Sequence, residues 1–288
     1  MPEGGFLHRP EPILYAPIIE AAVREDLNHG DITTSLTIPA DQKARAQIVA
    51  KEPCVAAGIF VAMDVFRFMD SEVEFSCMVP EGARCEADDV LLECHGNCAA
   101  ILIAERPALN FLQRMCGTAT LAARFVEAVS ETRCRIVDTR KTTPGLRILE
   151  KYAVRAGGGF NHRFDLSDGI LIKDNHIAAC GSVAAAVTRA RKNAPHTLKV
   201  EVEVTSIPEL QEAIEAGAHA ALLDNMDCNQ LREAVRFARR MNPDIILEAS
   251  GGVTLENVRE IADTGVDIIS SGALTHSAPA SDLSLRIF

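Results

Sequence analysis

Apolar positions along the chain change rhythm twice. Pro17–Glu25 has helical spacing and ends at a polar turn, Asn28-His29-Gly30-Asp31. From Gln42 to about Leu102 the pattern is one of short strands and tight turns. Ala46–Val49 and Cys54–Ala57 read as strands, and Pro80-Glu81-Gly82-Ala83 and Glu93–Asn97 carry turn chemistry. Helical spacing returns from Ala104 to about Ser130, carried by Leu109, Leu112, Met115, Leu121, Phe125 and Ala128. This first part reads as α+β.

A second rhythm follows. Short apolar runs recur near Ile136–Val137, Ile170–Ile172, Val200–Val204, Ala221–Leu223, Ile245–Leu247 and Ile268–Ile269. Segments of helical period lie between them, at Ala184–Ala190, Ile207–Ala216, Leu231–Ala238 and Leu255–Ala262. Strands alternating with helices predict βα units and parallel pairing over Cys134 to about Gly272. Gly217 and Gly265 each stand between a helix and a strand, where a helix-ending glycine belongs. A closed or nearly closed α/β barrel fits this rhythm. A doubly wound open sheet is the rival, and no GxGxxG turn follows the first strand to favour it.

The residues that end each run carry the chemistry. They are Asp138-Thr139-Arg140-Lys141, Lys173-Asp174-Asn175-His176, Asp224-Asn225, Glu248-Ala249-Ser250-Gly251-Gly252 and Ser270-Ser271-Gly272, with Glu201 and Glu203 on the third strand. In an α/β barrel such ends meet on one rim, the usual place for an active site. Between Arg140 and Lys173 stand seven Lys or Arg against three Asp or Glu, a local excess of cations in a chain of net charge -11. Arginine's paired donors match carboxylates and phosphates, and His162 beside Arg163 adds another donor. That set predicts a ligand with more than one negative charge. Arg147 and Lys151 are read as a solvated helix face, with Arg155 open.

Glu203 and Asp224, on neighbouring strand ends, suit sugar hydroxyls, a magnesium ion or general-base work. Glu201 points to the same side as Glu203, so position alone does not choose between them. Ser250-Gly251-Gly252 and Ser271-Gly272 follow the last two strands, where barrels bind phosphate through backbone N–H groups. The Gly157-Gly158-Gly159 run is either a hinge or a loop without room for side chains.

Composition narrows the classes. With 48% hydrophobic residues in 288, the chain can bury a substantial core. No apolar run approaches membrane-helix length, and Met1-Pro2-Glu3-Gly4-Gly5 lacks a secretory pattern. A cytoplasmic location is the expectation, with no membrane and no nucleic acid as partner, the latter on net charge. The nine cysteines are read as reduced thiols. Cys85, Cys94, His95 and Cys98 raise a zinc question, but CHGNC has no second pair at a finger-like distance.

The stretches EDLNHGDITT (25–34), ERPALNFLQRMCGTAT (105–120), DTRKTTPGLR (138–147), KYAVRAGGGFNHRFDLSDGILIKDNH (151–176), EVEV (201–204), LLDNM (222–226), EASGGV (248–253) and SSGALTHSAP (270–279) resemble the quinolinate phosphoribosyltransferase family. The resemblance runs from about residue 12 to the C-terminus. It implies an N-terminal α+β sandwich domain (1–115, with 277–288 returning to it) and an incomplete α/β barrel over 116–276. It implies quinolinate and phosphoribosyl pyrophosphate as substrates, magnesium, and a homodimer or an assembly of dimers in which Arg106 reaches the neighbour's site. Thr139, Arg140, Lys141, His162, Arg163 and Lys173 would hold quinolinate and part of the pyrophosphate. Glu203 and Asp224 would contact ribose and metal, and Ser250, Gly251, Gly252 and Gly272 would cradle phosphate. Ser271 stands where members commonly carry an apolar residue, and either adds a hydroxyl donor to that loop or does nothing there. Lys141, Lys173, Glu203 and Asp224 are the catalytic candidates. No nucleophile is expected, and Cys116, Cys134 and Cys180 are read as structural. The rivals are a sister phosphoribosyltransferase-like family, acting on another acid or associated with molybdate genes; a Schiff-base aldolase using Lys141 or Lys173; and a non-catalytic binding protein.

Overall fold

The computed structural model describes residues 7–288, so the N-terminal residues 1–5 read above lie outside it. In chain order the elements are α1 (Pro12–Leu27), α2 (Ile32–Thr37), β1 (Lys43–Ala50), β2 (Cys54–Val55), α3 (Ile59–Met69), β3 (Glu74–Cys77), β4 (Arg84–Cys85), β5 (Val90–Asn97) and α4 (Cys98–Ala128). There follow β6 (Arg135–Val137), α5 (Arg147–Ala156), β7 (Ile170–Ile172), α6 (Asp174–Cys180), α7 (Val183–Asn193), β8 (Val200–Val204), α8 (Ile207–Glu215) and β9 (Ala220–Asp224). The last are α9 (Cys228–Met241), β10 (Ile246–Ser250), α10 (Val258–Ala262), β11 (Ile268–Ser270), α11 (Ala273–His276) and β12 (Leu283–Ile287). Two units result. One holds the described residues up to Ala123, Thr142–Gly158 and Leu274–Phe288; the other holds Arg124–Lys141 and Gly159–Ala273.

The first unit is built on a four-stranded sheet in the order β12-β1-β5-β3, with the C-terminal strand paired antiparallel to β1. Along β1, Ala44, Ala46 and Ile48 are buried while Lys43 and Arg45 are exposed, the alternation of a sheet with one face on a core. Helix α1 buries Tyr15, Ile19 and Val23, spaced by four. The Tyr15 and Tyr152 rings both meet Phe60 edge-on, at 5.6 and 5.0 Å between centroids. Each fully buried side chain of this size contributes roughly 1.5–3 kcal/mol.

Helix α3 departs from the expectation of strands throughout 42–102. Its Ile59, Phe60, Val61, Ala62, Val65 and Phe66 are all buried, a broad apolar face opposite the exposed Arg67 and Phe68. Helix α5, counted with the barrel in the sequence rhythm, packs in this first unit. Its Lys151 is only 2% exposed, which corrects the solvated-face reading; Arg147 and Arg155 are half-buried. Lys151 sits within Leu149–Val154, a run in which every side chain is buried, so four-residue spacing did not mark a wet face. A Cβ on Gly157 would lie 2.3 Å from the Ala119 carbonyl oxygen, so this glycine is there for want of room.

In the second unit six parallel strands follow the order β6-β11-β10-β9-β8-β7. The strands from β7 to β11 take their places in chain order, without the reversal that defines a doubly wound sheet. β6 and β7 are not paired. Phe160 instead bridges to Val137, its N–H donating to the Ile136 carbonyl at 2.8 Å. The architecture is thus an incomplete α/β barrel in one unit and a separate sheet in the other. Ser182, Ser206 and Asp227 cap the N-termini of α7, α8 and α9 with side-chain oxygens. Gly217 and Gly265 take left-handed φ values of +84° and +92° and end their helices as expected.

Candidate active site

Parallel pairing sets the polar strand ends in layers. Asp224, Ser250 and Ser270 stand abreast on β9, β10 and β11. One layer below, Glu203, Leu222 and Glu248 stand abreast on β8, β9 and β10. On β8 the valines 200, 202 and 204 are buried while Glu201 and Glu203 alternate with them, so both carboxylates leave the strand on its other side.

These layers floor a cavity of about 460 Å3 in the second unit. Thr139, Arg140, Lys141, His162, Arg163, Lys173, Glu203, Asp224 and Ser250 all line it, so the sequence-selected cations share one cavity with the two carboxylates. Leu171, Leu222, Asn225, Glu248 and Ser270 complete the lining. Gly251, Gly252, Ser271 and Gly272 do not line it, although they follow the same two strands. Ser271 is buried and donates its hydroxyl to the Val253 carbonyl at 3.5 Å. Arg106 belongs to the first unit, exposed on α4 beside a depression formed with Asp31 and Ile32.

The cavity's electrostatics suit anions. Burial, and then the charge of Arg140, hold the Arg163 guanidinium below its usual range. Crowding two guanidiniums costs free energy until negative charge is bound between them. Arg163 Nη1 donates to the Gly169 carbonyl at 3.1 Å, which fixes the side chain's course. Lys173 Nζ lies 3.3 Å from Glu203 Oε2. Lys141 is exposed. A paired ammonium and an exposed one lack the desolvation that an imine-forming lysine uses, which disfavours the aldolase rival.

Glycine and asparagine shape the rim. Asn225, at φ 53°, donates its Nδ2 to Asp224 Oδ2 at 2.7 Å and its backbone N–H to the Ser250 carbonyl at 2.9 Å. A Cβ on Gly251, whose φ is +97°, would lie 2.2 Å from Asn225 Oδ1. Only glycine lets the two loops approach this closely.

Beneath the rim, Asp138 and Glu248 had no role assigned from sequence, and Glu201 stood as the alternative to Glu203. Asp138, fully buried, accepts from the His162 backbone N–H at 2.9 Å and from Asn161 Nδ2 at 2.5 Å. His162 Nε2 lies 3.4 Å from Glu201 and 3.5 Å from Glu248. Burial, and then the charge of Glu201, raise the Glu248 carboxyl to about 7. The available signal was a lone carboxylate inside the apolar run Ile245–Ala249.

Residues 31–116 match the N-terminal domain, and residues 118–286 the C-terminal domain, of the family described as quinolinate phosphoribosyl transferase. The chain is 42% identical over 278 residues to a probable nicotinate-nucleotide pyrophosphorylase [carboxylating] of Synechocystis, covering 96% of this chain and 94% of the relative. It is 44% identical over 274 residues to the nicotinate-nucleotide pyrophosphorylase [carboxylating] of Mycobacterium leprae, covering 93% and 95%. Among solved structures, NadC from Streptococcus pyogenes superposes with a TM-score of 0.93 at 40% identity, covering 98% of this chain and 99% of that one. With both domains matched and identity of this order over nearly the whole length, the chain belongs to the quinolinate phosphoribosyl transferase family.

Proposed function

We infer that the chain transfers the phosphoribosyl group of phosphoribosyl pyrophosphate to quinolinate, releasing pyrophosphate and carbon dioxide and forming nicotinate mononucleotide for NAD synthesis. The observation that carries this reading is the gathering of Arg140, Arg163 and Lys173 around one barrel-end cavity, in a chain of this family.

The pyridine nitrogen attacks the anomeric carbon as its bond to pyrophosphate breaks, through a sugar centre with cationic character. Bringing two polyanions together is the main task, and positioning of this kind is worth up to about 7–11 kcal/mol. In this reading Arg140, Lys141, Arg163 and Lys173 hold the carboxylates and part of the pyrophosphate, with Thr139 and His162 at their side. Ser250, Gly251, Gly252 and Gly272 hold phosphate, the glycines through backbone N–H groups. Once the ring nitrogen is positive, the neighbouring carboxylate leaves as carbon dioxide. Its electron pair stays on the ring carbon as an ylide and then takes a proton. No protein nucleophile is needed.

Glu203 and Asp224 present oxygen-only donors to the cavity, the hard set that suits magnesium. Magnesium, when bound, neutralises pyrophosphate charge. The same two carboxylates are placed to accept ribose hydroxyls.

The direct test supplies the protein with quinolinate, phosphoribosyl pyrophosphate and magnesium. Carbon dioxide and nicotinate mononucleotide should form one to one, a chelator should stop the reaction and added magnesium restore it. Absence of carbon dioxide release would refute the reading and favour the sister family with another acid substrate.

We further propose a homodimer, or an assembly of dimers, whose sites are shared, with Arg106 of one subunit completing the cavity of the other. Mixed Arg106→Ala and Lys173→Ala chains, each nearly inactive alone, should then recover about a quarter of wild-type activity, since half the dimers are mixed and each has one intact site. No recovery in verified mixed dimers would exclude sharing. A cytoplasmic setting accords with nine free cysteines, six of them buried. Among the described residues no helix is long and apolar enough to cross a membrane.

A further inference from the structure

The floor of the cavity presents a physical puzzle. Glu248 is 2% exposed and stands in register with Leu222 and Ile268, between Leu247 and Ala249. Its Oε1 makes no hydrogen bond among the described residues. A carboxylate buried in this way, beside Glu201, destabilises the fold relative to an apolar residue of its size. Packing alone gives no reason for it.

The hydrogen bonds around His162 supply one. His162 Nδ1 accepts the backbone N–H of Arg163 at 2.7 Å, which places the ring proton of the neutral form on Nε2. Nε2 faces Glu201 and Glu248 at 3.4 and 3.5 Å. Both ring nitrogens are thus directed at protein, and the backbone N–H of His162 is held by Asp138. The ring is clamped from below by carboxylates and grips, on its other side, the backbone of the arginine that lines the cavity.

We infer that Glu248, with Glu201, is a positioning residue that fixes His162 and, through its Nδ1, the backbone of Arg163, so that the Arg163 guanidinium meets a substrate carboxylate without searching. The inference rests on the reading that Arg163 binds the pyridine dicarboxylate. It follows the rule by which a partner of one ring nitrogen sets what the other presents.

Steady-state kinetics of Glu248→Leu, Glu248→Gln, His162→Ala and the double variant His162→Ala/Glu248→Leu test it. Glu248→Leu keeps the volume and removes the acceptor. It should raise the KM for quinolinate at least about tenfold, with the KM for phosphoribosyl pyrophosphate changed far less. Glu248→Gln keeps an acceptor for Nε2–H and should recover most of the loss. The double variant should be no worse than His162→Ala alone, because the two residues act in one chain. An unchanged quinolinate KM in Glu248→Leu, equal damage in Glu248→Gln, or additive losses in the double variant would overturn the inference. So would stoichiometric zinc or manganese in the wild-type protein that Glu248→Leu loses, since the three side chains would then be ligands. Should Glu248→Leu fold poorly, the Glu248→Gln and His162→Ala comparison still decides. A wild-type protein inactive on quinolinate would fault the function, and an active one with indifferent variants would fault only the clamp.

Discussion

Arg140→Ala should lower kcat/KM for quinolinate by roughly 30- to 5,000-fold, the equivalent of about 2–5 kcal/mol for one partner of a desolvated charge pair. Arg140 lines the cavity close enough to Arg163 to hold that guanidinium below its usual range. The two cations repel each other while the cavity holds no anion. Removing one therefore relieves the free protein, and its melting temperature should stay level or rise. This combination, lower activity with equal or higher stability, marks a residue placed for binding at the expense of the fold. Arg140→Lys should recover only part of the loss, because an ammonium cannot offer the planar pair of donors that a carboxylate accepts. Kinetics beside thermal melts would decide. Near-wild-type turnover in Arg140→Ala, or loss of folding, would remove Arg140 from the site.

The parts of this site that were legible in sequence are those that depend on one strand at a time. Each apolar run ends where its polar residues begin, so Arg140, Lys173, Glu203 and Asp224 were visible as strand ends, and barrel geometry brought them to one cavity. Period two along β8 placed Glu201 and Glu203 on one side but gave no depth. The structure supplies it, with Glu203 lining the cavity and Glu201 against His162. Glu248 was visible as a strand end, but its role was not, for a related reason. Its significance comes from register with β9 and β11 and from the His162 ring, which belongs to a loop more than eighty positions earlier. Lys151 was misread because helical spacing reports which side chains share a face, not what covers that face. Helix α3 did not stand out because its apolar face is broad and only Asp64 and Arg67 interrupt it with charge. The Gly157 ambiguity needed the Ala119 carbonyl to settle it.

Arg114→Ala should be the most destabilising single change in the first unit outside its apolar core. Arg114 Nη2 and Nε reach Glu150 Oε1 at 2.8 and 3.1 Å, and Nη2 also donates to Thr143 Oγ1 and to the Thr275 carbonyl. Glu150 Oε2 accepts the Thr143 backbone N–H at 2.9 Å. The exposures decide the direction of the asymmetry. Glu150 is 1% exposed and Arg114 33%, so losing the arginine strands a buried carboxylate, whereas losing the glutamate leaves a cation that can turn to water. Truncating one partner of a buried pair costs about 3–5 kcal/mol, which in a chain of this size lowers the melting temperature by roughly 6–15 °C. Glu150→Gln, which keeps an acceptor for Thr143 and sheds the charge, should lose less. The double variant Arg114→Met/Glu150→Gln should melt above Arg114→Ala, because no unpaired charge remains buried. If Arg114→Ala melted within about 2 °C of wild type, too little for a stranded charge in a chain of this size, the ion pair would contribute little to holding the segments 142–158 and 274–288.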